Sequence, residues 1–391
     1  MKYLVMLLLV AAPAAAQVQT EADGYTRYEL LAPGSSRFRI LYEVTATTPG
    51  ATAYFNPIRP GSVATDERVI DRATGKPLAW SVVDGTVAAT GGVTGAQGSD
   101  RYIRVVLARP VPANGGEARV LIDKTYADPK SYFVQGQTIV FDRSLGVKRN
   151  AVVLPAGYEL VSSNYPAQVL QQRDGRIAVS FWNATPAPAP LRITARPSRK
   201  LAAPAEAVDE RAHQSREIVY DLLAPETHGF ALFHDYTEER PGTSTYINVV
   251  RAGSTVQNPS GRNLDTGAAL RWEVVRGAAV SKAAPETEQV GPETEAVVFR
   301  FAAIAPGQSA RLRFSETYTD PVGYTLAPDG SLTWVRTLGR AANAVILPAG
   351  WMLTGSTMPC TVSETDDHRV RLDFINPRPD ELAVRIVAQR R

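Results

Sequence analysis

The chain has 391 residues, 44% of them apolar and 21% charged, with a formal net charge of +3. That balance excludes a disordered or fibrous chain, and the thin, scattered Lys and Arg exclude a nucleic-acid binder of the basic-stripe kind. A single cysteine, Cys360, excludes an intrachain disulfide, so stability must come from apolar cores.

In chain order, the first element is a leader. Lys2 opens it, 3–10 is an apolar run, and Ala14-Ala15-Ala16 is a small-residue cleavage site before Gln17. The apolar run is too short to span a bilayer, and no later segment is long and apolar enough. The expectation is a signal peptide over 1–16 and a periplasmic or extracellular chain, free of a transmembrane segment, from Gln17 onward.

Next comes a repeat. Tyr28-Glu29-Leu30-Leu31-Ala32-Pro33 recurs as Tyr220-Asp221-Leu222-Leu223-Ala224-Pro225. At the same spacing of 192, Tyr54, Asn56, Arg59 and Gly61 recur as Tyr246, Asn248, Arg251 and Gly253. Trp80, Thr125-Tyr126 and Asp128-Pro129 recur as Trp272, Thr317-Tyr318 and Asp320-Pro321. The spacing then becomes 193: Arg143, Asn150-Ala151-Val152 and Leu154-Pro155-Ala156-Gly157 recur as Arg336, Asn343-Ala344-Val345 and Leu347-Pro348-Ala349-Gly350. A register held this long is the mark of gene duplication. It sets the domains as 17–197 and 216–391, with an unmatched linker over 198–215 that has room for a short helix.

Within the first copy, 38–47, 102–107, 118–126, 138–142 and 177–182 alternate and are rich in β-branched or aromatic residues; 297–301, 310–318, 332–335 and 370–374 answer them in the second. Turn signals punctuate them at Ala113-Asn114-Gly115-Gly116, Asp174-Gly175 and Pro328-Asp329-Gly330. The fold class is all-β: two tandem β-sandwich-type domains of about a dozen short strands each, with Trp80, Trp272, Tyr126 and Tyr318 expected in the cores.

Candidate chemistry is sparse. His228 and His234 stand six apart without a cluster, so no metal site is expected. No nucleophile elbow occurs, no cofactor motif occurs, and Cys360 answers to Ala167, which makes it a small core residue. Glu43 with Asp235, and Asp128 with Asp320, are matched carboxylates, but Asp-Pro after Thr-Tyr is also a turn signal. No catalytic residue is assigned.

The repeated polar residues are the ligand-binding candidates: Tyr54, Asn56 and Arg59 with Tyr246, Asn248 and Arg251, and Arg143 and Asn150 with Arg336 and Asn343. Tyr, Asn and Arg give contact area and directional hydrogen bonds. Alternation turns Tyr246 and Asn248 outward, with Ile247 and Val249 toward the core. The competing reading makes the same residues fold elements, with an Arg paired to a buried acid. On that reading Arg59 and Arg251 end their strands and meet Glu43 and Asp235.

The order Tyr28-Glu29-Leu30, 38–45, Gly75-Lys76-Pro77-Leu78-Ala79-Trp80, 102–107 and 118–126 resembles the N-terminal β domain of the M1 and M61 metallopeptidases, over about the first 100 residues of each copy. The resemblance implies a fold and no catalysis, because no His-Glu-x-x-His occurs. The whole chain also resembles exported bacterial tandem-repeat β proteins. The sequence therefore points to an exported two-module binding or interaction protein of the cell envelope. Its partner class stays open among glycan, peptide and envelope protein. The rival is a polysaccharide-acting or other hydrolytic enzyme with a site in one repeat or between the two.

Overall fold

The computed structural model describes residues 17–213, 217–250, 253–283 and 290–391. The leader expected over 1–16, the end of the linker and Arg251 lie outside the described residues. About half of the described chain is strand and very little is helix, with fourteen strands in each half, slightly more than the expected dozen.

The first half runs β1 (Glu21–Leu30), β2 (Arg37–Ala46), β3 (Ala53–Ile58), β4 (Val63–Asp71), β5 (Trp80–Asp84), α1 (Gly85–Thr90), β6 (Arg101–Val106), β7 (Ala118–Ala127), β8 (Tyr132–Gln135), β9 (Thr138–Leu145), β10 (Arg149–Val153), β11 (Tyr158–Ser163), β12 (Gln168–Gln171), β13 (Ile177–Trp182) and β14 (Ala189–Pro197). The second runs β15 (Glu217–Leu222), β16 (Gly229–Glu238), β17 (Thr245–Val249), β18 (Thr255–Asn263), β19 (Arg271–Arg276), α2 (Ala278–Ala283), β20 (Glu295–Arg300), β21 (Ala310–Thr319), β22 (Tyr324–Leu326), β23 (Leu332–Leu338), β24 (Ala342–Ile346), β25 (Trp351–Ser356), β26 (Thr361–Glu364), β27 (Val370–Ile375) and β28 (Leu382–Arg390).

The two halves share one topology. A seven-stranded sheet, β12-β13-β10-β1-β2-β7-β4, is answered by β26-β27-β24-β15-β16-β21-β18. A four-stranded sheet, β11-β14-β9-β8, is answered by β25-β28-β23-β22, and a three-stranded sheet, β3-β6-β5, by β17-β20-β19. Each seven-stranded sheet contains one parallel pair, β1 with β10 and β15 with β24. Even a bulge repeats: β4 slips between Thr65 and Arg68, and β18 between Gln257 and Ser260. The extra residues there, Asp66 and Asn258, take φ of 60° and 50°, a region that short polar side chains tolerate best after glycine.

Alternation builds the cores. On β2, Phe38, Ile40, Tyr42 and Val44 face inward, and on β7 Val120, Ile122 and Tyr126 do the same. They meet Ile139, Phe141 and Leu145 of β9 and Leu191, Ile193 and Ala195 of β14, forming one cluster. This is an aligned two-sheet sandwich with the third sheet packed at its side. In the second half Phe230, Tyr318, Trp334, Val384 and Ile386 fill the same place.

One expectation about this packing fails. Trp80 is only half-buried and Trp272 is 45% exposed. Both begin an edge strand of the three-stranded sheet, where one flank has no neighbour to cover the ring. The described linker carries no helix. It lies extended along the first half: Gln171 donates to the Ala202 carbonyl, and Glu210 accepts from Tyr25 Oη and Ser180 Oγ.

Candidate functional site

The repeated polar residues come together inside each half rather than on a shared surface. Arg143 donates to Asp128 at 2.9 Å and to Ser131 Oγ at 3.1 Å. Its guanidinium lies 5.5 Å from the Phe38 ring centre, 5.7 Å from Tyr126 and 6.0 Å from Tyr28. Arg336 repeats this: Asp320 at 3.5 Å, Phe230 at 4.9 Å, Tyr220 at 5.3 Å and Tyr318 at 5.9 Å. Asp128 also accepts the Lys130 and Ser131 N–H groups, so it closes the Asp-Pro turn and neutralises the cation at once. Asp128 and Asp320 are thus each engaged with the turn and the buried arginine of their own half.

Asn150 and Asn343 each close the turn before their strand, donating to the Val147 carbonyl at 2.7 Å and the Arg340 carbonyl at 2.9 Å. Tyr54 and Asn56 are both buried. Tyr54 Oη donates to Glu21, and Tyr42 Oη lies 3.5 Å away. Tyr246 and Asn248 do not point outward. Tyr246 stacks on Phe314 at 4.3 Å and meets His234 Nδ1 at 3.0 Å. The expected face is inverted because β17 packs its Tyr-x-Asn side, not Ile247, over the large sheet. His228 is spent on the Tyr324 carbonyl, and no group of metal-ligating side chains occurs among the described residues.

Arg59 stands at the end of β3, as expected, and is exposed. Its backbone is engaged, the N–H donating to Tyr126 Oη at 3.4 Å and the carbonyl accepting from the Ser62 N–H at 3.1 Å, while its side chain takes no hydrogen bond among the described residues. Glu43, named as its partner, bonds His213 at 3.2 Å and lies 3.7 Å from Arg72 instead. These cations, with the His213 hydrogen bond, outweigh burial and hold the Glu43 carboxyl down at about 2. Asp235, named for Arg251, grips Arg313 through two bonds of 2.7 Å. Cys360 is half-buried, less than expected, and burial pushes its thiol up.

One feature escapes comparison of identical positions. Lys124 is 3% exposed, and its Nζ donates to Asn56 Oδ1 at 2.5 Å. In the second half the same place holds Glu316, also 3% exposed, whose Oε2 accepts from Asn248 Nδ2 at 2.5 Å. The Asn amide turns its oxygen to one and its nitrogen to the other, so a single motif serves opposite charges. Burial brings Lys124 down to about 7 and Glu316 up to about 7. The signal was present in the alternation Ile122-x-Lys124-x-Tyr126, which sends a lysine inward between two core residues.

A concavity lies between the halves, with a volume of about 760 Å³, within the usual range for ligand clefts. One wall is the strand ends of the first half, with Glu21, Lys148 and Trp182; the other is the outer face of the second large sheet, with Asp235, Arg313 and Asp373. Buried ion pairs hold the walls together: Arg119 takes Asp265 through bonds of 2.7 and 2.9 Å, and Arg311 Nε stands 3.6 Å from Glu117. Backbone pairs flank them, Glu117 N–H to the Leu264 carbonyl and Ser309 N–H to the Ala73 carbonyl. Of the ligand-binding candidates read from the sequence, only Asn343 lines this cleft; of the matched carboxylates, Asp235 does.

No protein-family model and no curated protein matches the chain. Among solved structures, the M1 zinc metallopeptidase of Deinococcus radiodurans is similar at TM-score 0.31 and 12% identity, over 47% of this chain and 44% of that one. An aminopeptidase N family protein of Idiomarina loihiensis gives 0.27 and 11%, over 44% and 29%. The collagen adhesin of S. aureus gives 0.15 and 8%, over 82% and 88%. The chain thus spans under half the length of the metallopeptidases. A remote structural resemblance to their N-terminal domain stands, and it carries no activity. No helix among the described residues is long and apolar enough to cross a membrane.

Proposed function

We propose that this chain is an exported, duplicated two-module protein of the cell envelope that binds a polar ligand in the cleft between its modules. The cleft carries this reading: it is a large concavity that residues of both modules line. Its charged groups support binding over chemistry, because they are occupied with one another. Arg313 holds Asp235, and Arg371 reaches Glu217 at 3.2 Å and Asp373 at 2.7 Å. A prearranged lattice of this kind presents fixed donors and acceptors to a glycan or peptide, with Trp182 as an apolar surface for stacking.

A glycan and peptide array probed with the purified protein tests this, followed by calorimetry on each hit. Trp182→Ala combined with Lys148→Ala should abolish the hit with the fold intact by circular dichroism. A hit that both substitutions leave unchanged, or an array with none, overturns the cleft reading.

A further inference from the structure

The outer edge of the small sheet is blocked in the first half and, among the described residues, open in the second. In β3 the Thr52 carbonyl accepts from the Leu107 N–H. The peptide groups of every second residue therefore point toward β6, and those of Ala53, Phe55 and Pro57 point away from it. That outward edge is closed twice. The Gln19 side-chain amide caps Phe55, accepting from its N–H at 2.8 Å and donating to its carbonyl at 3.0 Å. Pro57 has no N–H to offer.

In β17 the Ser244 carbonyl accepts from Phe301 N–H, and Val250 N–H donates to the Glu295 carbonyl. By the same alternation Thr245, Ile247 and Val249 turn their peptide groups outward. Ile247 replaces the capped Phe55, and Val249 replaces Pro57. Gln19 falls opposite Arg211, which bonds the Asn376 and Gly339 carbonyls instead. Among the described residues nothing hydrogen-bonds the outward groups of Thr245, Ile247 or Val249. The strand has no Pro, no Lys and no bulge, the usual protections of an exposed edge.

We propose that β17 pairs antiparallel with β17 of a second copy of this chain, about a two-fold axis at Ile247. The strand is self-complementary. Ile247 meets the partner's Ile247, Thr245 meets the partner's Val249, and Val249 meets the partner's Thr245. These are neutral, β-branched cross-strand pairs, and no like charges face each other across the axis. The outward groups exchange about six backbone hydrogen bonds, and two three-stranded sheets become one of six strands. The inference is independent of the ligand in the cleft. An edge contact is small, so the dimer is weak and concentration-dependent.

Sedimentation equilibrium of the purified protein from about 1 µM to about 500 µM tests this. The average mass should climb toward the dimer. Val249→Pro, which installs the first half's blocking residue, and Ile247→Lys, which sets two ammonium groups face to face, should each remain monomeric at all concentrations. In a Cys360→Ser background, Ile247→Cys should cross-link under mild oxidation, because hydrogen-bonded antiparallel partners lie about 5.5 Å apart at Cα. Val335→Cys, exposed on β23, should not. If Val249→Pro fails to fold, Ile247→Lys and the cross-link decide. A wild-type protein monomeric throughout, or a dimer that both edge substitutions leave intact, overturns the proposal.

Discussion

Replacing Glu316 by Gln tests the buried-charge reading most directly. In the folded protein the carboxyl is raised from its ordinary 4.5 to about 7, with burial as the main cause and the Tyr318 and Asn248 hydrogen bonds opposing it. Its Oε1 has no hydrogen-bond partner. The sign follows from proton counts. Between pH 4.5 and 7 the folded chain holds a proton that the unfolded chain has released, so stability falls as pH rises across that window and stays low above it. At about 1.4 kcal/mol per pH unit, the displacement corresponds to about 3 kcal/mol. Gln has the same shape, still accepts from Asn248 and carries no charge. Glu316→Gln should therefore raise stability by about 3 kcal/mol at pH 8 and by less than about 1 kcal/mol at pH 5. Urea unfolding followed by the fluorescence of Trp334 and Trp351, both buried in the second half, measures it. An equal gain at the two pH values, or a loss at pH 8, would refute the claim that a desolvated carboxylate sits there.

Lys124 should behave in the opposite sense: lowered from 10.5 to about 7, it makes the first half gain stability as pH rises from 7 to 10.5, and Lys124→Met should abolish that slope in urea titrations. Arg336→Ala should cost about 3–5 kcal/mol by stranding Asp320 in the interior, read as a lowered urea midpoint at unchanged slope. Arg119→Ala strands Asp265 between the halves, and calorimetry should then resolve two unfolding transitions where the wild type shows closer coupling. Cys360 should react slowly with a thiol reagent at pH 7, because burial keeps it protonated; labelling as fast as in the urea-unfolded chain would contradict this.

The strands were legible because their signal is local. Each alternating run named from the sequence is a strand, and each Gly turn falls between strands: Gly115, Gly175 and Gly330 take φ of 78°, 80° and 80°. Tyr126 and Tyr318 are buried as expected. What alternation does not specify is which face of a strand meets the core, since a shift of one residue inverts the choice. In β17 both options look plausible: Ile247 and Val249 are apolar, yet Tyr246 and Asn248 are the pair that packs, because the aromatic stack on Phe314 and the bond to Glu316 wait on that side. The Trp80 and Trp272 expectation failed for a related reason. A large aromatic on an edge strand has only one neighbouring strand to cover it, and edge position is a property of the sheet order, which no local pattern encodes.

The repeat also directed attention away from the cleft, for a physical reason. Arg143 can occupy the sandwich interior only if Asp128 and three aromatic faces are present together, because a buried cation without them would be strongly destabilising. Arg, Asp, Tyr and Phe are thus bound to one another in each half, and the set recurs intact as Arg336, Asp320, Tyr220, Tyr318 and Phe230. Residues alike in both halves are those the fold constrains. The cleft walls obey no such constraint: where both members of a matched pair line the cleft, as Arg149 with Ala342 and Trp182 with Ile375, the residues differ. At matched positions Glu117 stands against Ser309, Leu121 against Arg313 and Arg149 against Ala342, and in each pair at least one member lines the cleft. A ligand bound there, as proposed, would meet two unlike surfaces. Searching for what the copies share therefore finds the scaffold, and the positions where they part are where binding between modules can be built.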